Sequence, residues 1–430
     1  CLNTRDFFKK AMWTMKRLAL ILLGSAIAAA PAALAAPVQT TASQRSVAAT
    51  PAWFANGSPA AARQLVQLLA TAQIEGLNPK SYNVRGLSRA VDAAASGNPM
   101  ARQQAERMLD QALVAYVRDS RRDPNVGIIY VDSQLRPAPP SPAQILVDAA
   151  GAPSMAEYVG QMGWMNPVYG KLRQALTSRL YHNANEERLL RVNMERARAL
   201  PAGGHRYIIV NAAAQRLYMY EDGQVVDSMR VVAGKPQTQT PMMNAYLRYV
   251  ALNPYWNVPP ETASHNLAPK VLKEGRSYFT NRGYQVFSDW SDNAQRIDPM
   301  TIDWKGVAAG TVQVRMRQNP GPANSMGKMK FMFPNKQGIW LHDTPVQEKI
   351  DDPARLQSGG CVRLEDAARL QRWIFGKTLK PQGNAPEQKV AVPGEMPIYL
   401  TYLTAVPSGT QIVYFDDFYG RDRVQQRRRG

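Results

Sequence analysis

The chain has 430 residues, with 52 lysines and arginines against 33 acidic residues and a net charge of +19. That length allows two domains, each with its own core. Its two cysteines are Cys1 and Cys361; with Cys1 in the leader described next, Cys361 stands alone and a disulfide-stapled fold is excluded.

Met15-Lys16-Arg17, the apolar run Leu18 to Ala30 and the small residues Ala33-Leu34-Ala35 read as a cleavable signal peptide, so residues 1–36 are expected to be leader and signal. An uncleaved N-terminal anchor is the alternative. The apolar run is short and alanine-rich for a membrane span, and no later stretch is long enough. Export is the expectation, with membrane contact only through the signal peptide. The basic charge then draws the protein to polyanions, either carboxylate-rich cell-wall peptides or anionic lipid surfaces. Nucleic acid, the usual partner for such charge, is set aside by export.

Residues 37–50 are rich in Ala, Thr, Ser and Gln and read as a linker. Ser58-Pro59 reads as an N-cap followed by proline at the first helical position. Leu65, Leu68, Leu69 and Ala72 follow at helical spacing, and Gly76-Leu77-Asn78-Pro79 ends that helix. Leu109, Leu113, Tyr116 and Val117 repeat the period, so residues 51–190 are expected to be mostly helical, with 191–204 as a connector. This region shows no cluster of chemical groups and reads as a scaffold or docking domain. Past Pro201-Ala202-Gly203-Gly204 the pattern becomes β-like. Asp222-Gly223 between two β-prone runs predicts a hairpin. A β-rich domain is expected over 205–380, with one helix after the cysteine carried by Leu364, Ala367, Ala368, Leu370 and Ile374. Residues 381–430 are expected to hold a hairpin of Met396–Ala405 with Gln411–Phe415, then a basic tail ending at Arg427-Arg428-Arg429. Residues 257–335 are long, polar and rich in Gly, Pro and Asn, which predicts a loop-like lid over a site.

Cys361 sits in Ser358-Gly359-Gly360-Cys361-Val362-Arg363, nineteen positions after His342. A lone cysteine is a buried apolar residue or a reactive thiol. Gly359 and Gly360 favour the thiol, because they let the backbone turn sharply and bring N–H groups close to a carbonyl. A thiol nucleophile needs a base, and an imidazole that takes its proton leaves a thiolate–imidazolium pair. Of the four histidines, His182, His205 and His265 fall in loops or at region edges. His342 ends the strand-like run Gly338-Ile339-Trp340-Leu341 and is the candidate base. No H-E-x-x-H, C-x-x-C, P-loop or G-x-S-x-G motif is present, and nothing has zinc-site spacing. Neither a metal nor a cofactor is expected.

The stretch His342 to Arg363 resembles the signature of L,D-transpeptidases, whose catalytic unit is the YkuD-type domain. Further stretches resemble the large Gram-negative, YcbB-like branch: Asn193-Met194-Glu195-Arg196, Val231-Val232-Ala233-Gly234-Lys235, Thr240-Pro241-Met242, Leu252 to Pro259, Asn319-Pro320-Gly321-Pro322, Lys330 to Asn335 and Phe418-Tyr419-Gly420-Arg421-Asp422. The resemblance implies an α+β fold, in which a helical scaffold domain joins a β-rich catalytic domain with a lid insertion. It implies a periplasmic enzyme on peptidoglycan tetrapeptide stems, whose cysteine carbapenems acylate; other cell-wall synthesis proteins are possible partners. Cys361 would attack the diaminopimelate carbonyl and His342 would carry the proton to the departing D-alanine. N–H groups of Gly360 and Cys361, with Gly359 as a further candidate, would hold the oxyanion. A second stem's amine would resolve the thioester into a 3→3 cross-link. Ser358 orients the histidine or bonds the turn. Arg363 holds the turn or meets a stem carboxylate. Tyr255, Trp256 and Trp340 line the peptide groove or are core aromatics. Two departures stand out. Gly359 occupies a place where many such domains carry a second histidine, and the short stretch Tyr181 to Glu195 leaves no room between the domains for the branch's small peptidoglycan-binding module, which reads as missing. The alternatives are a hydrolase on the same site, with water as acceptor, and a silent wall-binding protein.

Overall fold

The structure, a computed structural model, describes residues 50–423. The expected leader, signal peptide, nearly all of the 37–50 linker and the terminal arginines lie outside the described residues. The fold is α+β, as the resemblance implied. Helices at Ala60–Ala70, Val84–Ala95, Pro99–Ser120, Pro142–Ala150, Met155–Gly160, Pro167–Thr177 and Ala184–Ala197 precede a large sheet. One device opens several of these segments. In Asn78-Pro79, Asn98-Pro99, Ser141-Pro142 and Asn166-Pro167 the polar side chain accepts an N–H from the first turn. Proline takes a position where no N–H is needed. Ser58-Pro59 differs: the helix starts one residue later, at Ala60, with no side-chain cap assigned and only a long contact from Ala60 N to Ser58 Oγ at 3.4 Å. The helix ends at Ala70, before the stop expected at Gly76, and Gly76, at φ +75°, closes the short turn Ala72–Glu75 that follows.

The main sheet has twelve strands. Its path runs Ile129–Tyr130, Met243–Tyr246, Pro397–Thr401, Arg206–Asn211, Arg216–Glu221, Gln224–Gly234, Val362–Leu364, Leu341–His342, Met329–Met332, Tyr249–Leu252 and Gln388–Ala391. Leu356–Ser358 pairs in parallel with Gln224–Gly234 off that path. The Asp222-Gly223 hairpin forms with both turn residues at positive φ, 47° and 77°. Alternate residues of Arg206–Asn211 serve the two faces. Tyr207 and Ile209 join Leu65, Leu109, Leu113, Tyr169 and Leu172 in a cluster shared with the helices. Ile208 and Val210 join a second cluster with Leu341, Val362 and Leu364. The helix Ala367–Phe375 covers that second face through Ala367, Leu370 and Ile374. Beside the first cluster lies buried Glu75, whose carboxylate accepts the one O–H of Tyr116, with Oη 2.8 Å from both oxygens, and pairs with Arg173.

Three elements depart from the sequence reading. The helical region supplies an edge strand, Ile129–Tyr130, parallel to Met243–Tyr246. Pro397–Thr401 lies inside the main sheet, parallel to Arg206–Asn211, and the late hairpin is Ala405–Ser408 with Gln411–Tyr414. Residues 257–335 are not one loop. Trp256–Val258, Arg315–Gln318, Tyr284–Phe287 and Arg296–Ile297 form a four-stranded sheet. Its short helices bury Leu267, Val271, Tyr278, Phe279 and Trp304 in a cluster of their own. The polar and glycine residues sit on its surface and hid this core. Met329–Met332 already belongs to the main sheet, so the insertion ends before it.

Candidate active site

Two short strands build the site. Leu341–His342 and Val362–Leu364 pair in parallel, with Leu341 opposite Val362 and His342 opposite Arg363. Leu341, Val362 and Leu364 are fully buried in the second cluster, which fixes the register against a slip. By alternation His342 and Arg363 lie on the other face. The register carries one step back to Trp340, whose carbonyl accepts from Val362 N at 2.9 Å, and to Cys361. Trp340, His342, Cys361 and Arg363 therefore share one patch of one sheet face. Lys330 is paired opposite His342 on its other side and joins them.

The cysteine turn is held from several directions. Ser358 Oγ donates to Cys361 O at 2.5 Å and accepts from Gly360 N at 3.1 Å. Thr238 Oγ1 donates to Ser358 O at 3.0 Å, and Thr240 Oγ1 donates to Gly360 O at 2.8 Å. The two glycines are not equivalent. Gly360 has φ +115°, and a side chain there would meet Ile339 Cδ1 at 3.0 Å. Gly359 is exposed, and a Cβ there meets nothing within 4 Å. Only Gly360 is required by the backbone. Its N–H, expected in the oxyanion hole, is turned onto Ser358 instead. The Cys361 N–H makes no hydrogen bond among the described residues. Ser358 thus bonds the turn rather than the histidine. Arg363 does not hold the turn either. Its Nε is buried without a partner, and no ion pair to it forms among the described residues.

His342 is buried, at 2 % exposure, and its Nδ1 lies 2.6 Å from Asp343 O. A carbonyl only accepts, so Nδ1 carries the hydrogen and Nε2 keeps its lone pair. Burial first, then the Arg363 and Lys330 cations, lower the imidazole pKa to about 3; the bond to Asp343 O opposes this. The Cys361 thiol is half-buried and donates to Gly338 O at 3.5 Å. Desolvation pushes it up to about 11, against a backbone hydrogen bond at Trp340 and the charge of Arg363. The resting pair is therefore neutral thiol and neutral imidazole, not the ion pair expected from the sequence. The reason is physical: a buried imidazolium would stand between two cations.

The remaining candidates divide. Trp340 is half-buried on the site face. Trp256 packs on the insertion's core, its ring 6.2 Å from that of Tyr284. Arg317 stacks over the Tyr255 ring at 4.0 Å, and Tyr255 N donates to Glu387 Oε1 at 2.7 Å. His182 and His205 are exposed partners of Glu186 and Asp222, and His265 Nδ1 lies 2.9 Å from Glu261 O. Among the described residues no group of His, Cys, Asp or Glu is placed to hold a metal ion. The sequence reading missed Thr238, Thr240, Lys330 and Glu387. Lys330 Nζ pairs with Glu387 Oε1 at 2.7 Å beside His342. A lysine inside the apolar run Met329–Met332 was the signal available for it.

Residues 205–391 match the YkuD model, described as an L,D-transpeptidase catalytic domain, and residues 43–176 match a model described as a Scaffold domain. A Haemophilus influenzae protein named "Putative L,D-transpeptidase" is 30% identical over 281 residues, which cover 63% of this chain and 55% of that protein. The chain thus spans about half the length of that curated relative. An L,D-transpeptidase from Mycobacterium smegmatis aligns with a TM-score of 0.24 and 13% identity, over 46% of this chain and 58% of that one.

Two outcomes follow from the site's construction. Iodoacetamide alkylation of Cys361 should rise about tenfold per pH unit from pH 7 towards 10, because the thiolate fraction grows throughout that window. A plateau reached below pH 8 would reveal a preformed ion pair. Gly359→Ala should leave the far-UV spectrum, melting temperature and Cys361 acylation close to wild type, whereas Gly360→Ala should lower acylation by at least tenfold through strain at positive φ. Equal effects of the two substitutions would contradict the assignment.

Proposed function

With residues 205–391 belonging to the YkuD family of L,D-transpeptidase catalytic domains, we propose that the protein cross-links peptidoglycan through a thioester on Cys361. The reading is supported above all by the pairing of Leu341–His342 with Val362–Leu364, which gives His342, Cys361 and Arg363 a common face. In the first half-reaction Cys361 Sγ attacks the diaminopimelate carbonyl of a tetrapeptide stem. Its proton passes to His342 Nε2 as the C–S bond forms, so His342 acts as a general base on a neutral thiol. The carbonyl oxygen takes the negative charge and meets the Cys361 N–H. The C–N bond to D-alanine then breaks, and His342 returns the proton to the leaving amine. In the second half-reaction an amine of another stem attacks the thioester, and the thiol is regenerated.

The charge around the site suits a donor rich in carboxylates. Arg363 offers an unpaired guanidinium beside the nucleophile. Lys349 is held below its ordinary pKa by partial burial and by the like charges of Arg363, Lys235 and Lys270. Three cations from separate elements thus act on Lys349. Anionic stems would relieve that repulsion. The compartment proposed for this activity is the periplasm of a Gram-negative envelope, a reading supported by the family match and by the signal peptide expected over residues 1–36. The insertion, which we read as the lid over this site, has a hydrophobic core of its own. It would favour an amine acceptor over water by closing on the thioester.

Incubation with purified disaccharide-tetrapeptide should release D-alanine and yield a cross-linked dimer by mass spectrometry. Arg363→Gln should raise KM for this anionic donor by about tenfold or more through loss of a charge-assisted contact. D-Alanine release without dimer would assign the site to hydrolysis. No release from folded wild-type protein would remove the proposal.

A further inference from the structure

The motif Phe418-Tyr419-Gly420-Arg421-Asp422 has no part in the chemistry above, yet Tyr419 and Arg421 bind the 234–240 loop, whose Thr238 and Thr240 hold the cysteine turn. Arg421 donates from Nε and Nη2 to Gln239 Oε1 at 3.0 and 2.9 Å, and from Nη2 to Thr240 O at 3.0 Å. Tyr419 Oη donates to Gly234 O at 2.7 Å and accepts from Thr240 N at 3.4 Å. Thr240 is fully buried. Its hydroxyl accepts from Gly234 N at 2.9 Å and donates to Gly360 O at 2.8 Å. Gly234 itself admits no side chain, since a Cβ would lie 2.1 Å from Thr238 O. The 234–240 loop is therefore clamped between Arg421 on one side and the turn on the other.

Gly360 O and Cys361 N–H belong to one trans peptide plane, and the two groups point in opposite directions. A hydroxyl that holds the carbonyl thereby aims the N–H. We propose that Arg421 and Thr240 are positioning residues that lock the Gly360–Cys361 peptide so that the Cys361 N–H faces the developing oxyanion. This rests on the reading of Cys361 as the acylated nucleophile. The lock has a fixed anchor. Asp422, the next residue, accepts from Arg196 Nη1 at 2.6 Å and from Thr404 Oγ1 at 2.9 Å. Asn193 binds Thr404 through both its side-chain groups at 2.8 Å. Asn193 and Arg196 lie on the helix Ala184–Ala197, and all four residues are buried. A buried ion pair adds little net stability but does fix one geometry. The clamp thereby ties the turn to the helix that leads out of the scaffold region.

The test separates aim from architecture. Iodoacetamide alkylation is a displacement at a saturated carbon and needs no oxyanion donor. Acylation by disaccharide-tetrapeptide does need one. Thr240→Val and Arg421→Met should each lower kcat for D-alanine release by about tenfold to a hundredfold, with KM within about threefold. Iodoacetamide rates should stay within about threefold of wild type. Thr240→Ser, which keeps the hydroxyl, should restore kcat. Amide hydrogen exchange over residues 358–362 should quicken in Thr240→Val and Arg421→Met, a readout independent of turnover. Unchanged exchange, or equal losses in alkylation and D-alanine release, would overturn the lock. Wild-type protein without D-alanine release but with variant-dependent exchange would instead overturn the proposed reaction and leave the lock standing.

Discussion

The parallel pairing of Leu341–His342 with Val362–Leu364 is the constraint on which the site depends. These strands are only two and three residues long, so ladder bonds alone would hold them weakly. Their register is set by burial: Leu341, Val362 and Leu364 have no exposed surface, and a one-residue slip would drive His342 and Arg363 into the apolar cluster. The hydrophobic core thus does the positioning that the chemistry requires. Everything on the opposite face inherits its place from that packing, including the half-buried thiol and the buried imidazole.

Electrostatics then decide how the pair works. Burial alone would keep both groups neutral, and the cations Arg363 and Lys330 strengthen this for His342. A thiol held at about 11 presents little thiolate at neutral pH. Arg363 also joins Lys235 and Lys270 in raising the positive potential at Lys349, a field to which the proposed anionic stem would be a counter-charge. On the proposed reading, the charges that hold His342 neutral would also draw an anionic stem to the site.

Much of this was legible in the sequence. Cys361, His342 and the hairpin at Asp222-Gly223 announce themselves because each depends on local residue chemistry. Helix periods around Leu65 and Leu109 were readable for the same reason. What was hidden depends on partners far away in the chain. Pro397–Thr401 reads as half of a late hairpin, yet it finds a better place between Arg206–Asn211 and Met243–Tyr246. Residues 257–335 read as a loop because their apolar residues are spread thinly among polar ones, and only the folded insertion gathers them. Gly359 and Gly360 look alike in sequence, but only a backbone with φ +115° distinguishes them. The roles of Thr240 and Arg421 arise from contacts across 120 and 181 residues, respectively. No local pattern can carry those.

The most direct test of the central claim is intact-mass spectrometry of the folded protein mixed with a carbapenem, beside Cys361→Ala. A thiol with a working base and an oxyanion donor should give a single covalent adduct on wild-type protein and none on the variant. An adduct that survives in Cys361→Ala, or no adduct on folded wild-type protein, would contradict the account.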